Sequence, residues 1–459
     1  MKIAAILVIV LALPVIGTAQ VFPVQTILEN GLPEKRINYV FLSDGYQAAE
    51  LPAYIGQVQA MRDYLFTQPP FQQYRNFFNM YAISVPSIQS GADHPGTAAD
   101  EGAGGTQPIT TVNTYFNSTF DYASIHRLVV PQNTLAIGNV LIDNFPNYDQ
   151  AFVLVNSPFY GGSGGSYPAS TTDASSQEIA IHEIGHSFAD LADEYAIGGQ
   201  GEAPNRTANT DPATIRWKNW LGDAGIGIFP VGIDGWQRPH EACKMRFLGV
   251  PFCAVCTEAF IDRIYAFVTP IYSAAPTAAT VAVTGPTTFS ANLTRPEPNT
   301  LNTAWQLNGT TIASSTDSVL ISPVQLDTGS NTLTLYVTDQ TALARTYLPN
   351  AGYVFSQSWS LTKASSPVQT VGQPDKFYYQ LSPNPAIDVL TISGNLDYST
   401  KLGVELYSEF GERVYAHSLQ VEGAYQHDLR MTAFASGIYT VVLRLANGFS
   451  VQAQVVKIY

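Results

Sequence analysis

The sequence predicts a multidomain chain: a mixed α/β (α+β) domain followed by two β-sandwich modules. Three observations carry this fold class. At 459 residues the chain is too long for one ordinary core. Hydrophobic residues make up 46% of it, enough to fill sizeable cores and to exclude a largely disordered protein. The texture then changes twice, from mixed helical and strand patterns to short strands between turns, and then to a linker and a last run of strands. Charge narrows the function. Charged residues are only 13% and the formal net charge is −14. A chain this acidic, with no basic run, repels phosphate backbones, which excludes a general nucleic-acid binder.

Residues 1–19 read as an export signal. Lys2 supplies the positive start, Ile3 to Leu13 an apolar run too short for a membrane anchor, and Gly17-Thr18-Ala19 a small-residue cleavage site before Gln20. No later segment holds the ~18 continuous apolar residues of a span, so none is expected in the mature chain. Residues 20–270 form the α/β domain. Leu51, Ile55, Val58, Met61 and Leu65 recur near helical spacing and predict a helix from Ala48 to Phe66; Tyr39 to Leu42 and Ala151 to Val155 read as buried strands. Residues 271–363 alternate Thr, Ser and Val with turn residues, as in Thr280 to Val283 and Asn331 to Val337. Short strands at this spacing predict an immunoglobulin-like sandwich with Trp305 and Trp359 in its core. Residues 364–376, rich in Ser, Pro, Gln and Gly, are a linker. Residues 377–459 form the last module, with strands at Val389 to Ile392, Val404 to Tyr407 and Tyr439 to Leu443.

The chemistry lies between Glu178 and Tyr195. His182-Glu183-x-x-His186 puts two imidazoles on one helix face, where both reach one metal ion. Glu183, beside the first ligand, is the general base for a zinc-activated water. The rival is an amphipathic helix whose histidines are satisfied by hydrogen bonds. A catalytic zinc takes three protein ligands. Asp190 shares the face but stands a turn further, about 5–6 Å along the axis, so the chain must turn near Ala189 to Leu191 and return a later residue. In metzincins that ligand lies about six residues past the second His. Here the position is Ala192, which cannot bind. Asp193 is the favoured third ligand, with Glu194 and His240 as alternatives.

Other segments admit two readings each. Met245, in Cys243-Lys244-Met245-Arg246, supplies the turn beneath a metzincin metal or is an ordinary core residue. The glycine-rich run from Phe159 to Ser166 admits an extended peptide at a sheet edge or is a plain loop. The three cysteines, Cys243, Cys253 and Cys256, predict a local disulfide from Cys243 to one of the others in an exported protein, with one thiol left over. Cys253-x-x-Cys256 also reads as half a zinc knuckle, but no second such pair exists. Asp93-His94 reads as a loop satisfied by local hydrogen bonds, with a secondary metal site or a rim residue as the alternatives, and His126 as a surface or core residue.

Several motifs stand in one order: Val40-Phe41-Leu42-Ser43-Asp44-Gly45-Tyr46, Phe71-x-x-Tyr74-Arg75-Asn76-x-Phe78-Asn79, Ser90-Gly91-Ala92-Asp93-His94-Pro95-Gly96, the zinc helix running into Leu191-Ala192-Asp193-Glu194-Tyr195, Arg238-Pro239, Cys243-Lys244-Met245-Arg246 and Phe252-Cys253-x-x-Cys256. Over residues 20–267 the chain thereby resembles the IgA-peptidase-like family of secreted zinc metallopeptidases in the metzincin clan. The resemblance implies a metzincin-like domain, Zn²⁺, endopeptidase activity on proteins or peptides, and an Ig-like domain behind the catalytic one. It does not fix the substrate. At the C-terminus, Leu381-Ser382-Pro383-Asn384-Pro385-Ala386-x-Asp388, Leu406-Tyr407-x-x-Phe410-Gly411, Ser436-Gly437-Ile438-Tyr439 and Val455-Val456-Lys457 resemble the type A sorting domain of type IX secretion. This implies the secretion machinery as a partner and a final place on the cell surface or outside it. The expected protein is thus an exported zinc endopeptidase. The rival is a catalytically weak or inactive peptidase-like protein that binds through its Ig-like domain.

Overall fold

The computed structural model describes residues 21–102, 107–346, 352–363 and 377–458; the predicted signal and linker lie outside them. The chain divides into two compact units. Met1–Ser273, Ala291–Ala304 and Leu335–Gln357 form the first; Ala274–Ser290, Trp305–Thr334 and Ser358–Tyr459 form the second.

The first unit is built on a six-stranded sheet. Its strands are β1 (Val24–Leu28), β2 (Ile37–Asp44), β3 (Phe78–Ile83), β4 (Gln150–Val155), β5 (Gly162–Ser163) and β6 (Ala169–Ser170), in the order β1-β3-β2-β4-β6-β5. Central β2 runs parallel to both β3 and β4, and all its residues are buried, as a strand covered on both faces requires. Helices α1 (Leu51–Leu65), α2 (Thr134–Asn144), α3 (Ser176–Ala189) and α4 (Ala254–Phe267) supply the cover. Because side chains alternate along a strand, Tyr39, Phe41 and Phe152 pack with Val58 of α1, Ile184 of α3 and Phe260 of α4. Val40, Leu42 and Val153 pack on the other side with Ile137 and Leu141 of α2. The predicted strands lie within β2 and β4. The predicted first helix is α1 preceded by a 3-10 turn, Ala48–Glu50.

Two local devices hold α3 and the end of β2. Phe188 of α3 stacks against Phe260 and Phe267 of α4, with ring centroids 6.2 and 5.7 Å away. Burying such a ring contributes about 1.5–3 kcal/mol and fixes one helix on the other. At the end of β2 the buried Asp44 carboxylate accepts from the amides of Phe116 (2.9 Å) and Ser118 (3.0 Å) and from the Thr114 hydroxyl (3.0 Å). Gly45 comes next at φ +73°, where a Cβ would strike the Gly91 carbonyl oxygen, so only glycine fits. The Asp44-Gly45 motif is therefore a loop anchor. Residues 335–357 group with this unit through Asp339, which accepts from the hydroxyls of Tyr74 (2.5 Å) and Tyr265 (2.6 Å).

In the second unit Thr280–Val283 pairs in parallel with Ser360 to Lys363, and Thr287 to Ser290 pairs antiparallel with Ser318–Ile321. Trp305 and Trp359 stack in its core, centroids 5.8 Å apart. The C-terminal module is an antiparallel five-stranded sheet of Phe377–Ser382, Val389–Tyr407, Arg413–Arg430, Gly437–Leu445 and Ser450–Lys457. The two strands predicted at Val389 and Val404 are one. The polar run between them bends the strand at a register shift between Leu396 and Thr400 and does not end it. Ile392, Leu402, Val404, Val441, Leu443 and Val455 give this module a core of its own. Among the described residues no helix is long and apolar enough to cross a membrane.

Candidate active site

Helix α3 buries Ile181, Ile184 and Phe188 in the core and turns His182, Glu183 and His186 toward a cleft of about 630 Å³. The helix ends at exposed Asp190, which takes a left-handed conformation (φ 53°); its amide and that of Leu191 both donate to the Gly185 carbonyl. This closure reverses the chain. Asp193 thereby returns to the cleft.

The convergence is close. The two Nε2 atoms of His182 and His186 are 3.2 Å apart, and Asp193 Oδ1 lies 3.1 Å from the first and 3.4 Å from the second. His182 Nδ1 donates to the Lys244 carbonyl (2.9 Å) and His186 Nδ1 to the Leu191 carbonyl (2.7 Å). A carbonyl only accepts, so each Nδ1 is protonated, and in its neutral form each ring offers the lone pair of Nε2. Three acceptors then face one point, an arrangement that a cation satisfies. Two nitrogens at about 2.0–2.1 Å from a tetrahedral zinc stand about 3.3 Å apart, so this donor set fits that ion.

The surrounding chain fixes these groups. Gln200 Nε2 donates to Asp193 Oδ2 (2.7 Å), while the Asp193 amide donates to Gln200 Oε1 (2.8 Å). Asn205 braces Ala192 through its backbone amide and carbonyl, both at 2.8 Å. Removal from water pushes the Glu183 carboxyl above its ordinary value, against the opposing pull of His182 and His186. Arg127, Tyr160 and Tyr195 also line the cleft. Met245 is fully buried against Gly185, where a Cβ would stand 2.6 Å from its sulfur, and its carbonyl accepts from the Glu194 amide (2.8 Å). Met245 thus packs on the same helical turn that carries both histidines.

Other candidates fall elsewhere. Asp190 points to solvent. His240 Nδ1 accepts from the Ala242 amide (2.9 Å), and no metal-ligating group among the described residues includes it. Glu194 turns away from the cleft toward the cysteines. The expected disulfide is absent: all three cysteines are buried free thiols, with Cys243 Sγ and Cys256 Sγ 3.6 Å apart. The glycine run is neither an open sheet edge nor a plain loop. The Gly162 amide donates to the Arg127 carbonyl (3.1 Å), Leu128 bridges Gly162, and the Ser163 hydroxyl donates to the Val129 carbonyl (2.6 Å), so residues 127–129 already lie along that edge. At Gly164 a Cβ would stand 3.2 Å from both Glu183 Oε2 and His186 Cβ, so the missing side chain lets the loop approach the site. His94 and His126 gather with Glu101 and Asp121; His94 Nε2 lies 3.3 Å from Glu101, and His126 Nδ1 lies 3.1 Å from Asp121. Sequence reading raised His94 as one alternative for a second metal but missed its partners Glu101, Asp121 and His126, and it missed Gln200, Asn205 and Arg127. All stand on loops, at spacings that carry no periodic signal.

Residues 26–228 match the family IgA Peptidase M64, and residues 380–457 match the Secretion system C-terminal sorting domain. No curated protein matches the chain. Among solved structures the chain is similar to dimeric latent PorU from Porphyromonas gingivalis, at 15% identity over 40% of this chain and 19% of that one (TM-score 0.17). It is similar to SGBP-B from Bacteroides ovatus at 15% identity over 39% of this chain and 42% of that one (TM-score 0.13). The fibronectin(III)-like modules of CbhA from Clostridium thermocellum match at 11% identity over 40% of this chain and 92% of theirs (TM-score 0.14). The chain spans less than half the length of the first two, and likenesses this slight say nothing of the site.

Proposed function

We propose that this chain, with its IgA Peptidase M64 domain ahead of a type IX secretion sorting domain, is an exported zinc-dependent endopeptidase that acts on extracellular proteins. The carrying observation is the convergence of His182 Nε2, His186 Nε2 and Asp193 Oδ1 beside Glu183 in an open cleft. These three side chains would hold the ion in a metzincin-like site, with Met245 as the residue beneath it. When bound, Zn²⁺ lowers the pKa of a water and polarises the scissile carbonyl. Glu183 takes the proton of the attacking water and returns it to the leaving amine. Arg127 and Tyr195, which line the cleft, are the candidate donors to the anionic transition state. An intact base beside three converging donors favours the enzyme over the binding-protein rival.

The test is metal analysis of the purified protein with casein hydrolysis before and after chelation. Chelation is expected to abolish cleavage and added Zn²⁺ to restore it. Undiminished cleavage by metal-free protein would overturn the reading.

The sorting domain marks export to the cell surface or beyond. Its separate core predicts that it can be removed. A chain ended after Ala364 is expected to accumulate in the periplasm with its casein activity intact. The measurement is activity and immunoblot of periplasm and medium. Wild-type levels of the shortened chain in the medium would sink this prediction.

A further inference from the structure

We infer that Glu194, Cys243, Cys253 and Cys256 form a second metal site, a closed four-ligand centre that takes Zn²⁺ and has a structural role. The four side chains come from three segments. Glu194 stands next to Asp193 on the stretch returning from α3, Cys243 opens the turn that carries Met245, and Cys253 and Cys256 stand at the N-cap and in the first turn of α4. One ligand atom from each lies within 4.8 Å of all the others, and all four residues are buried.

Three features point to a cation. Cys243 Sγ and Cys256 Sγ are 3.6 Å apart, and Cys256 Sγ lies 3.3 Å from Glu194 Oε1. Two sulfurs each about 2.3 Å from one tetrahedral zinc stand about 3.7 Å apart, so the spacing is that of neighbouring ligands. Glu194 has no exposed surface, and its Oε2 finds no hydrogen-bond donor among the described residues. Asn205 Nδ2 (3.0 Å) and the Cys256 thiol give Oε1 only neutral donors; Arg238 acts on the carboxyl from a distance, and no ion pair among the described residues neutralises it. The Cys253 amide, at the N-cap of α4, donates to Cys243 Sγ (3.3 Å), the polarity that stabilises a thiolate there.

A disulfide satisfies two of these thiols and strands the third together with the carboxyl; one ion employs all four groups. Soft sulfur donors with a single carboxylate select zinc over calcium or magnesium, and four protein ligands leave no open position for chemistry. On loading, each thiol forms a metal–sulfur bond and releases its proton to water. The ion then ties the Asp193-Glu194 stretch and the Met245 turn to α4. The inference does not depend on the peptidase reading, since neither histidine nor Glu183 takes part.

The experiment uses the full-length chain purified without chelator, in three forms: wild type, Cys253→Ser/Cys256→Ser, and His182→Ala/His186→Ala. Zinc per chain is measured by mass spectrometry, and the bound metal is then exchanged for Co²⁺. The cysteine variant is expected to hold one equivalent of zinc less than wild type. A near-ultraviolet thiolate-to-cobalt charge-transfer band is expected in wild type and in the histidine variant but not in the cysteine variant. Thiol counting on wild type alone keeps the test sharp if the cysteine variant fails to fold. All three thiols should resist alkylation in the native protein and become reactive once chelator is added. A wild-type intact mass showing two thiols joined, or a folded cysteine variant with undiminished zinc, would overturn the site. Loss of zinc in the histidine variant bears only on the catalytic centre.

Discussion

Glu183→Gln is expected to keep its metal and lose its turnover. The substitution preserves the side chain's size and leaves untouched the three atoms that converge on the metal position, His182 Nε2, His186 Nε2 and Asp193 Oδ1. It removes the carboxylate beside them that is proposed to take a proton from water. General acid–base catalysis of this kind contributes roughly 10²–10⁴-fold, so kcat should fall by about that factor while KM moves little. At about 1.4 kcal/mol per tenfold, the loss is roughly 3–5 kcal/mol of transition-state stabilisation. The burial that raises the Glu183 carboxyl also makes Gln easier to accommodate than the charged form, so the variant should fold. Casein hydrolysis and zinc content of one preparation decide the matter. A zinc-loaded variant with near-normal cleavage would remove Glu183 from the mechanism.

The part of this site legible in the sequence is the part a linear pattern can encode. A helix repeats every 3.6 residues, so two candidate ligands four apart on α3 show in the sequence, as does the proposed base between them. The need for a turn after Ala189 was also legible, and Asp190 makes it by taking a left-handed conformation in place of glycine. The path of the chain beyond that turn was not. Asp193 and Glu194 are adjacent carboxylates, and which one faces the cleft depends on the hydrogen bonds that pin Ala192 and Asp193 to Asn205 and Gln200. Those partners sit on an irregular loop. The cysteines misled for another reason: an oxidising compartment favours disulfides in general, but it cannot tell which other side chains share the space. Glu194, some fifty residues upstream, is the group that changes the reading. For the fold, buried runs such as Tyr39 to Leu42 betrayed the parallel strands. Polar residues around Asp397 hid the continuity of the long C-terminal strand.

Asp193→Ala is expected to weaken zinc binding at the histidine pair severely, because it removes a charged oxygen from a three-ligand site. Neighbouring substitutions grade the argument. Asp190→Ala should change little, since Asp190 closes the helix through its backbone amide and its side chain is exposed. Gln200→Ala leaves every ligand in place but frees Asp193 Oδ2, so affinity should fall by about 10–100-fold, the usual cost of losing a partner that orients a ligand. Glu194→Ala should leave the histidine-held metal in place, because its carboxyl faces the sulfurs on the other side of the chain. To count this site alone, the comparison is made in the Cys253→Ser/Cys256→Ser background, by zinc competition with a chelator in one buffer. The expected order of affinity is Asp190→Ala near wild type, then Glu194→Ala, then Gln200→Ala, with Asp193→Ala weakest. If Asp193→Ala binds like wild type while Glu194→Ala loses the metal, the third ligand is one residue further along. If neither loses it, the ligand comes from a distant loop and His240→Ala is the next variant to measure. The order discriminates because Asp193 and Glu194 have the same charge and nearly the same place in the chain, and differ in which way the backbone turns them.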